Sequence, residues 1–282
     1  MASITAIDRP NPAARSSGAA MRLITAALVL VTWISAAVFG LYIAAHYGGA
    51  VADGTMDRWN SSLPRLFEAG SPAATSVIGL HFAAGAVLLV LGPIQLIGAI
   101  RRKAPAVHHW LGRVYIGSAF AAGVGGLGYI FIKGTVGGPA MNIGFGLYGA
   151  LMILASVQTL RHAMARRLDL HRAWAIRLFA LAIGSWLYRI DYGFWYLLAG
   201  AAGHTKSFDG WFDAVMDFFF FIPNLMVAEL VIRANLARAG AGLRYAAIGA
   251  LTASTALVSL GSYFFIVYAW GPEILARFVA RG

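Results

Sequence analysis

Ionisable side chains stand at a few points of this chain where nearly everything around them is apolar. His81 lies in a run that continues to Leu96. Arg189 and Asp191 sit among Leu187, Ile190 and the aromatic residues Tyr188, Tyr192, Trp195 and Tyr196, while Asp213 and Asp217 open the run from Trp211 to Val231. A charge in hydrocarbon costs about 3 kcal/mol or more unless it finds a partner, so such residues mark ligand sites, proton paths or ion-pair locks. Asp213 and Asp217 are one helical turn apart and share a face with Asn224. Arg189 and Asp191, two residues apart, point to nearly opposite faces and each needs a partner on another helix. Asp213 or Asp217 is the expected counter-ion of Arg189. If these helices are neighbours, a polar, aromatic-lined pocket opening outward results; the other reading is an ion-pair lock close to the headgroups.

A second constellation occurs twice. Gln95 precedes His108 by 13 residues and Gln158 precedes His171 by 13. His109, Trp110 and Arg113 follow in the first case, Trp174 and Arg177 in the second. A duplicated two-helix unit would explain this, as would independent use of Arg and Trp to anchor helix ends at a bilayer surface. The pattern also admits redox chemistry, with His109 (or His108) and His171 as ligands of a b-type haem and nearby arginines on its propionates. An outer ligand pair fails, however, because the residue that aligns opposite His81 is Gly144. The His-Glu-x-x-His and His-x-x-x-His spacings of membrane zinc hydrolases are missing, and cysteine is absent, so no metal site is assigned. The GxGGxG string Gly123–Gly128 lies within an apolar run with no strand before it, which reads as close helix packing and not a nucleotide loop.

The elements that must carry these residues are transmembrane helices. Apolar residues make up 60% of the 282 positions and charged ones only 12%, with a mean hydropathy of +0.72, outside the range of a soluble domain. Seven segments reach the length of about 20 apolar residues needed to span a bilayer. They run from Leu23 to Ala45, Ser76 to Ile100, Trp110 to Ile132, Pro139 to Leu160, Ala173 to Ala199, Trp211 to Val231 and Tyr245 to Trp270. The fold expected is thus an all-α polytopic transmembrane helix bundle: residues 1–21 form a disordered cytoplasmic tail, and 22–282 one membrane domain. The outer loop 46–75 carries Met56, Trp59, Leu63, Leu66 and Phe67 at helical spacing and reads as a short interfacial helix.

With the N-terminus inside and the C-terminus outside, fifteen basic residues fall on the cytoplasmic side and six on the other, as the positive-inside rule requires. The net charge of +11 is therefore assigned to anionic lipid headgroups at the cytoplasmic face, not to nucleic acid.

The string His108-His109-Trp110-Leu111-Gly112-Arg113-Val114-Tyr115, preceded by Gly92-Pro93-Ile94-Gln95, resembles the signature of a bacterial membrane family catalogued as domain of unknown function 2306 (DUF2306). His171-Arg172-Ala173-Trp174-Ala175-Ile176-Arg177 resembles its second motif, and Pro223-Asn224-Leu225-Met226-Val227-Ala228-Glu229 resembles the ending of its penultimate helix. The likeness covers roughly His81 to Arg233. It departs at His108, where the family commonly has a single His before Arg-Trp; here His109 takes that place and Trp110 follows directly. The resemblance implies a bundle in a bacterial inner membrane and assigns no reaction. Three functions stay open: binding or moving a small molecule or protons at the outer cluster, a b-type haem redox protein, and a non-catalytic membrane assembly component.

Overall fold

The computed structural model describes residues 12–236 and 239–279, and among these every regular element is a helix. Six stretches are long and apolar enough to cross a membrane, and a seventh crossing results if one bent helix pair is a single span. Helices are what a bilayer permits, since hydrocarbon offers no water to backbone groups and each N–H must find a carbonyl within its own segment. The elements are α1 (Pro12–Ile43), α2 (Gly49–Asp53), α3 (Pro72–Leu96), α4 (Gly98–Lys103), α5 (Pro105–Lys133) and α6 (Gly138–Met164). After them come α7 (Leu168–Ala182), α8 (Gly184–Ala199), α9 (Trp211–Phe219), α10 (Ile222–Ala234), α11 (Ala241–Phe265) and α12 (Gly271–Val279). α1 begins inside the stretch expected to be a disordered tail, so its last ten residues are helical; residues 1–11 of that tail lie outside the described residues.

Two of the crossings are broken. α7 and α8 meet at Ile183 with a bend of 44°, and Tyr148 on α6 donates its hydroxyl to the Leu181 carbonyl beside the bend at 2.8 Å. α9 gives way to α10 where Pro223, having no N–H, interrupts the ladder. There the Asn224 amide donates to the Phe220 carbonyl at 2.7 Å. The two breaks touch: a Cβ on Gly184 would come within 3.4 Å of both the ring and the carbonyl of Phe220. Discontinuous helices in a membrane are tolerated where protein or a polar cavity satisfies the freed groups, and they often bracket a binding site.

Helix α5 packs against α3 through the glycine string. A Cβ on Gly125 would meet the Val77 carbonyl at 2.6 Å and the His81 N–H at 3.1 Å, whereas one on Gly128 would find nothing closer than 3.5 Å. The packing reading of this string is therefore the structural one, and no strand precedes it. The loop after α2 forms one 3₁₀ turn, Met56–Ser61. Its apolar residues face the bundle and not the lipid: Trp59 and Leu66 are buried in one cluster with Tyr47 and Ile78. Trp59 donates its indole N–H to the Tyr47 carbonyl at 3.1 Å, and Tyr129 ties the Arg65 carbonyl to α5 at 3.1 Å. Glu68 closes the loop through Arg65 and Lys133, each at 3.1 Å. Those two partners hold its carboxyl below the usual glutamate range, so the closure is strongest near neutral pH and loosens as acid protonates it.

Gly125→Ala is expected to lower the thermal unfolding midpoint by several degrees, because the methyl must displace backbone. Gly128→Ala should leave it unchanged or raise it, since the space is open and alanine favours helix. Equal midpoints for the two variants would contradict this account of the α3–α5 contact.

Candidate functional site

One end of the bundle gathers around Asp213. This residue is the third of α9, and its carboxylate turns back to accept the Gly210 N–H at 3.0 Å and the Thr205 N–H at 3.1 Å, both on Oδ2. Asp213, at the third position of α9, thus answers the N–H of the residue before the helix, the half of a capping box that a glycine there permits. Its other oxygen, Oδ1, takes the Tyr192 hydroxyl at 2.6 Å and faces His204 Nδ1 at 2.7 Å. Tyr188 in turn donates to the Tyr192 hydroxyl at 3.2 Å. Asp213 is fully buried, with every lone-pair direction used. Aromatic rings wall this centre: His204 lies edge-on to Tyr192, Tyr196 and Phe208, and Trp195 stacks on Phe212 at 4.3 Å.

The loop that brings His204 here turns through left-handed backbone at Gly200, Ala201 and Gly203. Gly203 is required, since a Cβ there would fall within the Trp211 ring. Thr205 adds a local clasp, donating to Asp209 Oδ1 at 2.5 Å and accepting the Asp209 N–H at 3.1 Å.

Asp217, one turn deeper, is different. It is as buried as Asp213, yet neither carboxylate oxygen has a hydrogen-bond partner among the described residues. Its backbone and Cβ press against α6 where Gly144 leaves room. At 1.5 Å per residue it lies about 9 Å along the helix from Trp211.

The other residues of the expected cluster go elsewhere. Arg189 forms no ion pair with Asp213 or Asp217; it donates to the Ser185 carbonyl at 2.8 Å and lies 4.7 Å over the Phe39 ring of α1. The physical reason is that α8 sits between two cores. Its Trp186–Ile190 side faces α1 and α3, while Tyr192 faces α6 and α9. His81 is held by α5, with Nδ1 2.9 Å from the Ala122 carbonyl. Asp191 is half-buried and has no ion pair or hydrogen bond among the described residues. The ion-pair lock through Arg189 is thus not formed. Asp213 sits instead in a closed, aromatic-walled centre, with His204, Thr205 and Gly210 as members that the apolar-run criterion passes over because they lie in a loop.

At the opposite end the repeated motif has a definite geometry. Arg113 lies 5.4 Å over Trp110 and Arg177 lies 5.1 Å over Trp174, the same cation–π pair in both hairpins. The polar partners diverge. Gln95, with its amide turned to suit both neighbours, donates to His108 Nδ1 at 3.1 Å and accepts the Gly112 N–H at 3.2 Å. Gln158 does not reach His171, whose Nδ1 faces the Thr159 carbonyl at 3.0 Å. Arg177 crosses to α10 and binds Glu229 at 2.6 Å, which also accepts from Arg233 at 2.9 Å. For haem ligation the geometry gives no support: His109 is exposed on α5 and His171 is engaged with Thr159. No group of three or more His, Cys, Asp or Glu among the described residues could hold a metal ion.

A family described as "Predicted membrane protein (DUF2306)" matches residues 78–232, from the second crossing to the end of the sixth. The chain belongs to that family. The match takes in both hairpin motifs, the Arg177–Glu229 pair and the acidic centre, and leaves out α1, α11 and α12. No curated protein and no solved structure matches the chain.

The two aspartates should respond oppositely to substitution. Asp213→Ala strips four polar partners of their acceptor, at a cost on the order of 2–4 kcal/mol. Asp217→Asn removes a buried carboxylate with no donor and should leave stability unchanged or higher. Thermal unfolding in detergent would measure both; a larger loss at Asp217 would mean that an unseen partner holds it.

Proposed function

We propose that this protein takes up and passes protons through the outer half of the bundle, with Asp217 as the proton-binding group. One observation carries the reading: a carboxyl group fully buried, without a donor among the described residues, beside the contact of two broken helices. A carboxylate in such a place is tolerable only if it carries a proton or receives a cation. Structural acids in the same bundle are satisfied, as Asp213 and Glu229 are, so an unsatisfied one suits exchange better than support. Tyr188, Tyr192, Asp213 and His204 form a hydrogen-bonded chain from the core to the loop, and Asp217, one turn from Asp213, would have to reach it by a side-chain movement or through water.

The proposal places this end on the outer side of a bacterial inner membrane. Its support is the distribution of Arg and Lys, which concentrates on the opposite loops. There the exposed arginines would meet anionic headgroups. Because the chain has no cysteine, single cysteines report its orientation cleanly. Ser207→Cys is expected to react with an impermeant maleimide added to intact cells, and Asp169→Cys only after lysis; the reverse pattern would invert the topology.

The function itself is tested in vesicles. Purified protein would be reconstituted with a pH-sensitive dye inside and a potassium diffusion potential applied. Wild type is expected to pass protons, Asp217→Asn to lose that flux, and Asp217→Glu to keep part of it. A folded Asp217→Asn variant that conducts like wild type, or a wild type indistinguishable from empty vesicles, would sink the proposal.

A further inference from the structure

A second constellation lies outside the residues that the family match covers, and depends on neither Asp213 nor Asp217. It joins three segments far apart in sequence: the π-helical turn Ala44–Gly48 that ends α1, the loop after α2, and helix α12. His46 Nδ1 lies 3.1 Å from Glu273 Oε1, and His46 Nε2 lies 3.0 Å from the Ser62 hydroxyl. The imidazole is buried, while Ser62 is exposed. With the Nδ1 proton given to Glu273, the Nε2 lone pair faces Ser62.

That is the division of roles by which a serine becomes a nucleophile: a carboxylate orients the imidazole, and the imidazole's far nitrogen receives the hydroxyl proton. Each member is held from a second side. Arg58 bonds Glu273 at 2.8 Å, and Tyr42 stacks on His46 with ring centroids 5.4 Å apart. Arg277, one turn along α12 from Glu273, pairs with Asp53 of α2 and so docks that helix. The Tyr42 hydroxyl lies 3.2 Å from Ser62 Oγ and gives that hydroxyl a second polar contact.

We infer that Ser62, His46 and Glu273 form an acyl-transfer site for carboxylic esters presented at the membrane surface. The substrate class follows from position. The site lies where α1 leaves the apolar run, and Leu41 and Val51 on the same stretch are exposed as lipid-facing residues are. Lipid esters lie at the depth where hydrocarbon gives way to headgroups.

Ser62 Oγ bonds the ester carbonyl carbon as its proton passes to His46 Nε2. The carbon–oxygen bond to the alcohol then breaks, and the alcohol leaves with that proton. Water, deprotonated by His46, attacks the acyl-serine; the carboxylic acid departs and the proton returns to Ser62. No redox partner enters, and atoms and charge balance.

The test uses the full chain in lipid nanodiscs and a fluorophosphonate probe. Wild type is expected to yield a phosphonyl adduct located at Ser62 by peptide mass spectrometry, and to hydrolyse p-nitrophenyl butyrate. Ser62→Ala should lose both, while Ser61→Ala, one residue away and bonded only to the Arg58 carbonyl, should keep both. His46→Gln should slow labelling by about a hundredfold or more, with folding checked by its thermal midpoint. Should His46→Gln fail to fold, the wild-type adduct and its loss on heat denaturation decide instead. Absence of an adduct at Ser62 in folded wild type, or equal labelling of wild type and folded His46→Gln, would overturn the inference and leave the three residues as a clamp for α12.

Discussion

Asp213 is the group on which one half of this bundle depends. A buried carboxylate must be answered by donors, and here they come from three different places: the start of its own helix, the loop before it and a tyrosine on α8. Meeting that demand fixes the loop path through Gly203, brings His204 inward and sets the rotation of α8 about its axis. Arg189 lies over the Phe39 ring of α1 and donates to the Ser185 carbonyl, and so pairs with neither aspartate. Donors from three elements are thus committed to one buried side chain.

The bilayer imposes the same accounting on the backbone. Two helices break, and both breaks are answered by side chains of neighbouring residues: Tyr148 at Leu181 and Asn224 at Phe220. Putting the breaks against one another lets Phe220 and Gly184 share the site of greatest irregularity. Asp217 lies just beyond it. Irregular backbone and a carboxyl without a partner among the described residues are the features that separate this half from the opposite end, where Arg177, Arg233 and Glu229 neutralise one another.

The repeated hairpins illustrate how far a pattern in sequence carries. Trp and Arg three residues apart on a helix must lie on one face, so the cation–π pair is local and recurs in both units. The histidine partners depend on what the adjacent helix offers, and there the two units part: Gln95 reaches His108, whereas Thr159 takes His171. Glu229, at the end of the PNLMVAE string, gains its meaning only from Arg177 across the bundle. The family match supports the shared scaffold, and the Ser62–His46–Glu273 group stands outside it.

What the sequence by itself determined is what hydrophobicity and helical period determine: the crossings, the faces on which Asp213 and Asp217 fall, the packing role of the glycine string and the Trp–Arg anchors. These follow from transfer free energies and a repeat of 3.6 residues, both local quantities. The tertiary structure alone decided the partners. It gave Asp213 to Tyr192 and His204, withheld Arg189, left Asp217 and Asp191 without donors among the described residues, and joined His46 to residues 16 and 227 positions away. Rotation of each helix about its axis, and the bend at Ile183, are settled by packing against several neighbours at once. Spacing along one chain carries no record of that sum.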